Sequence, residues 1–205
     1  MKVFVLGREI SGEKFWRVTV LSAEDGAGFC LVRHSSPSSK KSGGVTVVPD
    51  LFDEAEILYS PRKAGTDGAR FVKEYVLVAR HAGIAANYAA LVYAGRFAAV
   101  LAKNAFPPDA RAGVFSICRN VINALAAKPR KEAAYLKALW LLARESGLPA
   151  REDWFERLVA ADRDAVSAVL KTPLEALSVP VGHVEFLVSD LERWLGNEHE
   201  FSFVG

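Results

Sequence analysis

Residues 15–33 read Phe15-Trp16-Arg17-Val18-Thr19-Val20-Leu21, then Ser22-Ala23-Glu24-Asp25-Gly26-Ala27, then Gly28-Phe29-Cys30-Leu31-Val32-Arg33. The first block alternates. Trp16, Val18 and Val20 fall on one face, and Phe15, Arg17 and Thr19 on the other, which is the period-two signature of a half-buried strand. Asp25-Gly26 is a good hairpin turn because glycine tolerates positive φ. The strand pattern resumes from Gly28 to Arg33. The stretch is therefore a β-hairpin, and it sets the reading for what flanks it.

Working outward, Lys2 to Ile10 reads as a preceding strand. After Arg33 comes Ser35-Ser36-Pro37-Ser38-Ser39-Lys40-Lys41-Ser42-Gly43-Gly44, which has no apolar residue to bury and reads as a flexible loop. Val45–Val48 and Asp53–Tyr59 read as further strands, Pro61–Gly68 as a hairpin loop, and Arg70–Val78 as the last strand. About five short antiparallel strands within residues 1–80 suggest a small β-barrel of the OB type, although an SH3-like barrel or an open sheet gives much the same pattern.

Beyond residue 80 the period becomes 3.6. Asn87–Lys103 is a first helix with blurred, alanine-rich faces. After Pro107-Pro108, Asp109 is a candidate cap for a helix whose Val114, Ile117, Cys118, Val121, Ile122 and Leu125 form one apolar stripe. Lys131–Gly147 follows, with Leu136, Leu139, Trp140 and Ala143 inward. Glu152–Ala160 and Arg163–Lys171 are expected as short helices, with Asp162 capping the second. Val181–Leu195 is the last, stopped by Gly196, with Val184, Leu187, Val188, Leu191 and Leu195 in register. The fold class expected is α+β in two domains: an OB-fold nucleic-acid-binding barrel over 1–80 and an all-helical bundle over 81–205.

The 205 residues carry 26 Lys+Arg against 24 Asp+Glu, a net charge of +2. That balance excludes a histone-like polycation and an acidic tail, but not a local basic patch. Two cysteines, Cys30 and Cys118, cannot form a four-thiolate zinc site and read as buried thiols in a reducing compartment. The N-terminal apolar run is too short for a signal peptide, and no stretch reaches the ~18 apolar residues of a membrane span. A cytoplasmic protein without a membrane segment is expected.

Reactive chemistry is sparse. There is no phosphate-binding glycine loop and no His-Glu-x-x-His. His34, His81, His183 and His199 are scattered. Cys30 and His34 have nucleophile and base residue types, but nothing in the sequence activates the thiol. Glu152-Asp153 and Asp162/Asp164 are helix-start carboxylates that complement the macrodipole. Asp50, Asp53, Glu54 and Glu56 read as a solvated strand edge, with a divalent-cation site as the alternative. No catalytic residue, metal or cofactor is expected.

The positive signal is basic. Residues 1–48 hold seven Lys/Arg against four Asp/Glu. Lys14 and Arg17 lie on the hairpin arm, Arg33, His34, Lys40 and Lys41 bracket the polar loop, and Arg62 and Lys63 lie in another loop. With Phe15, Trp16 and Phe29 nearby, such a patch suits a phosphate backbone and unpaired bases.

In this order the segments resemble the bacterial DNA repair protein family RecO. Ile10-Ser11-Gly12-Glu13-Lys14 followed by Val18-Thr19-Val20-Leu21-Ser22 is similar to that family's first hairpin, and Glu24 to Phe29 stands at its turn. Arg33 to Gly44 looks like its basic loop. Asp53-Glu54-Ala55-Glu56-Ile57-Leu58-Tyr59 is similar to its "L-x-E-x-E-L-Y" strand. Pro173-Leu174-Glu175-Ala176-Leu177 matches its "P-L-x-x-L" turn. Leu195-Gly196 through Phe201-Ser202-Phe203 is a weak closing match. The chain departs in three places. The stretch Gly147–Trp154 has no cysteine where many members carry a zinc finger. Ser35, Ser36, Ser38 and Ser39 dilute the basic loop, and Glu198-His199-Glu200 replaces a closing basic run.

The resemblance implies a non-enzymatic recombination mediator. Such a protein binds single- and double-stranded DNA, anneals complementary strands and helps load recombinase. Its partners are RecR and the C-terminal tail of single-strand-binding protein. By position it carries over Arg33, His34, Lys40 and Lys41 as loop contacts. Arg96, Arg119, Lys128 and Arg130 are candidate cations for the acidic tail, or simply a solvated helix face. The serine-diluted loop also admits an alternative: a RecO-fold protein-interaction module that has lost most DNA binding.

Overall fold

A computed structural model of the chain describes residues 1–33, 47–61 and 70–203. It divides into two compact units, Met1–Arg80 and His81–Gly205.

The first unit is a closed five-stranded barrel: β1 (Lys2–Ser11), β2 (Phe15–Ser22), β3 (Gly26–Arg33), β4 (Glu54–Tyr59) and β5 (Arg70–Ala79). The order around the barrel is β1-β2-β3-β5-β4, and β4 pairs back onto β1. All pairings are antiparallel except β3 with β5, which run parallel with Cys30 opposite Arg70 and Leu31 opposite Phe71. This is the strand order of the OB fold, and the pairings of β3 with β5 and of β4 with β1 close the sheet on itself. Alternation fills the interior. Val3, Val5, Val18, Val20, Cys30, Val32, Ala55, Ile57, Val72 and Tyr75 form one buried cluster. Mostly β-branched side chains suit a pleated wall packed on one side. Gly26, at φ 76, makes the Asp-Gly turn that the sequence announces.

Where the barrel closes between β1 and β4, a polar network does the fastening. Phe52 has φ 65, a left-handed conformation unfavourable for a bulky side chain. It is held there by its N–H donating to Val5 O (2.8 Å) and by Val5 N–H donating to Asp53 O (2.9 Å). The Asp53 carboxylate, fully buried, accepts from Asp50 N–H at 2.9 Å and from Arg80 Nη2 and Nε at 2.7 and 2.9 Å. Tyr75 Oη adds a longer contact at 3.3 Å. The expected solvated strand edge holds for Asp50 and Glu56, which are exposed, but is corrected at Asp53, which points inward and ties the β4 approach to the end of β5. Val47 and Val48 lie outside any strand, so the strand expected over 45–48 is not formed in its described half.

The second unit contains α1 (Ala82–Ala85), α2 (Tyr88–Lys103), α3 (Arg111–Ala127), α4 (Lys131–Glu145), α5 (Ala160–Lys171) and α6 (Val181–His199). The stripes expected on α3 and α6 are buried residue for residue. Helix α4 is buried on more than one face, through Tyr135, Leu136, Leu139 and Leu142, and packs against α2, α3, α5 and α6. Four boundaries differ from expectation. Ala110, not Asp109, precedes α3, and no side chain caps it. A single π turn (Ala150–Trp154) and a 3-10 turn (Phe155–Arg157) replace the helix expected over 152–160, because the backbone extends at Leu158 and Val159. Helix α5 then starts at Ala160, so Asp162 sits inside its first turn and hydrogen-bonds His183 Nε2 at 2.6 Å instead of capping. Helix α6 runs through Gly196 and stops at Glu200, which takes φ 57. Among the described residues no helix is long and apolar enough to cross a membrane.

Candidate nucleic-acid interface

Because β2 and β3 send Val18, Val20, Cys30 and Val32 inward, they send Phe15, Arg17 and Thr19, and Phe29, Leu31 and Arg33, outward. The register places Phe15 opposite Arg33, Arg17 opposite Leu31, and Thr19 opposite Phe29. The parallel strand β5 then brings Phe71 beside Leu31. Phe15 and Phe71 meet edge to face with centroids 5.4 Å apart. The Arg17 guanidinium lies 4.3 Å over the Phe29 ring. Phe29 and Phe71 remain 45% and 47% exposed. Half-exposed rings on a face that also carries guanidinium groups are suited to stacking on bases.

The structure separates the three aromatics that the sequence groups together. Phe15 and Phe29 are on this face. Trp16 packs against the barrel core, with the Arg8 guanidinium 4.7 Å from its ring. Phe71 was missed. Its outward position follows from alternation about Val72, but its place beside Phe15 depends on the parallel β3–β5 pairing, which joins segments about forty residues apart.

Of the sequence-predicted contacts, Lys14 is exposed in the β1–β2 turn, Arg17 is on the face and Arg33 is exposed at the end of β3. Arg17 also pairs with Glu9 at 3.0 Å across the hairpin. At 48% and 62% exposure that pair is solvent-screened and weak, so a phosphate can compete for the guanidinium. Arg70, at the start of β5, is engaged by Asp25 at 2.6 Å and lies 3.6 Å over the Tyr59 ring. His34, Lys40, Lys41, Arg62 and Lys63 lie outside the described residues.

The reactive candidates resolve differently. Cys30 is buried, its thiol donates to Val18 O at 3.7 Å, and burial pushes its pKa up to about 12. That is a core thiol, not a nucleophile. Among the described residues no three His, Cys, Asp or Glu side chains gather to hold a metal.

In the helical unit, most cations considered for an acidic tail are engaged within the chain. Arg96 pairs with Glu192 and lies against Tyr135. Arg130 bonds Glu132 at 2.6 Å and the carbonyls of Leu177 and Val179 at 2.7 and 2.5 Å. Lys128 meets Glu175 at 2.6 Å, a hydrogen bond that holds that carboxyl below its usual range. Arg119 stacks 5.1 Å over Phe115. Arg130 is thus built into the fold, whereas Lys128 stays exposed, as the solvated helix face that the sequence also allowed would have it.

The molecule is thus an OB-order barrel with an aromatic and cationic outer face, followed by a helical bundle. No protein-family model matches the chain, and no curated protein matches it.

Proposed function

We propose that the protein is a RecO-like, non-enzymatic DNA-binding protein of recombinational repair. It binds single- and double-stranded DNA, promotes annealing, and helps load recombinase with RecR and single-strand-binding protein. The observation that carries the reading is the outer β2–β3–β5 face, where Phe15, Phe29 and Phe71 alternate with Arg17 and Arg33. Annealing needs charge neutralisation and transient stacking, which guanidinium groups and exposed rings supply together. The ordered sequence resemblance and the barrel-then-bundle arrangement support the family assignment. Lys14 and Arg33 add exposed positive charge at the ends of β2 and β3, and His34, Lys40, Lys41, Arg62 and Lys63 are proposed as further DNA contacts from the sequence alone.

The test is annealing of two complementary oligonucleotides by the intact chain, alone and with both strands coated by single-strand-binding protein. The reading expects acceleration in both. No acceleration, together with no retention of single-stranded DNA at ~50 mM salt, overturns it.

A second reading is favoured by the pairing of Arg17 with Glu9 and of Arg70 with Asp25. These pairs neutralise the two guanidinium groups locally and suit a protein-interaction module of the same fold. Recovery of RecR or of the single-strand-binding tail in a pull-down, without DNA binding, distinguishes it.

A further inference from the structure

The helical unit has a surface groove of about 400 Å³ between the turns at 153–159, the first turn of α5 and one face of α6. Spacing of four along α6 puts Phe186, Asp190, Trp194 and Glu198 on that face. Two buried indoles form its floor and fix its acids. Trp154 Nε1 donates to Asp190 at 2.9 Å, and Trp194 Nε1 donates to Glu198 at 3.1 Å. Asp153 and Asp162 line the opposite wall.

Asp162 is taken up by His183 Nε2 at 2.6 Å, which leaves Asp153, Asp190 and Glu198 facing two guanidinium groups, Arg157 and Arg193. Both arginines are more than 60% exposed, and their ion pairs are loose: Arg157 sits 3.4 Å from Glu198 and 3.7 Å from Asp153, and Arg193 sits 3.2 Å from Asp190. Such pairs contribute little and yield to a competing cation. On the rim, Val159 is 66% and Phe186 53% exposed. The groove therefore combines oriented negative charge with apolar surface still in water.

We propose that this groove is a docking site for a partner-protein segment that carries Lys or Arg beside an apolar side chain. The cation lies against Asp190 and Glu198, and the apolar group covers Phe186 and Val159. Charge complementarity selects this occupant, because the same excess of carboxylates disfavours a nucleic acid and an acidic tail. The site is independent of the DNA reading, because it uses none of the barrel residues.

The test uses two labelled peptides of eight residues that alternate leucine with lysine or leucine with glutamate, followed by fluorescence anisotropy on the full chain. The lysine peptide is expected to bind saturably and to weaken with salt, and the glutamate peptide is expected not to bind. Phe186→Ser and Glu198→Gln each weaken the lysine peptide several-fold. Arg193→Gln, which removes a competing cation from an exposed position, tightens it, a gain that misfolding cannot produce. DNA binding is unchanged by all three substitutions. Equal binding of both peptides, no saturation up to about 1 mM, or loss of binding in Arg193→Gln overturns the proposal.

Discussion

Replacing Phe29 with alanine isolates the stacking contribution of the barrel face. Removal of an aromatic platform costs about 1–3 kcal/mol per stacked base. Phe29 is 45% exposed and one of its faces lies under the Arg17 guanidinium at 4.3 Å. One ring face is therefore open, and the lower half of that range applies, about 1–1.5 kcal/mol or roughly five- to tenfold in affinity for single-stranded DNA. The fold loses little, because an exposed substitution of this kind stays within about 0.5 kcal/mol. Fluorescence anisotropy with labelled oligo(dT) at several salt concentrations reads the effect. Phe29→Ala shifts the line of log K against log salt downward without changing its slope, since no phosphate contact is lost. Phe29→Trp restores affinity and Phe29→Leu does not. An affinity within twofold of the parent, or a loss that appears in the slope, refutes stacking at this position.

Three further outcomes concern the fold. Arg80→Ala leaves the buried Asp53 carboxylate without its countercharge and lowers stability in urea by about 3 kcal/mol, the low end for a broken buried pair because Arg80 is itself half exposed. Gly83→Ala drives its Cβ to 2.5 Å from the backbone oxygen of Ala126 and costs about 1–3 kcal/mol, whereas Gly95→Ala meets nothing within 4 Å and stabilises α2 by up to ~1 kcal/mol. Burial raises Cys30 from 9.0, and Tyr59 from 10.0, to about 12. Below pH 9 both are protonated in either state; above it the unfolded chain loses protons first, so stability falls between about pH 9 and 12. Urea midpoints across that interval check the slope, and iodoacetamide at pH 8 leaves Cys30 unmodified until the barrel unfolds.

Legibility followed the range of the interactions. The β2–β3 hairpin was readable because alternation and an Asp-Gly turn are local, and the α3 and α6 stripes were readable because their burial needs only a helical period. What escaped depends on distant partners. Asp53 looks like a surface acid until Arg80 and Tyr75, more than twenty residues away, converge on it. Asp162 has the residue type of a cap, but the helix already starts after the extended Val159 and His183 claims its side chain. Gly196 has the look of a stop, yet α6 continues to His199 and the left-handed residue is Glu200. Of the candidate site, Lys14, Arg17 and Arg33 were legible as charge and Phe15 and Phe29 as aromatics. Phe71 joined them only through the parallel pairing of β3 and β5.

The most direct measurement is the salt dependence of single-stranded DNA binding by the intact chain. Electrostatic contact by about four cationic groups of the barrel face and its connecting segments gives a slope of log K on log salt near −3. A slope near zero, or no binding at ~50 mM salt, contradicts a phosphate-binding face on this barrel.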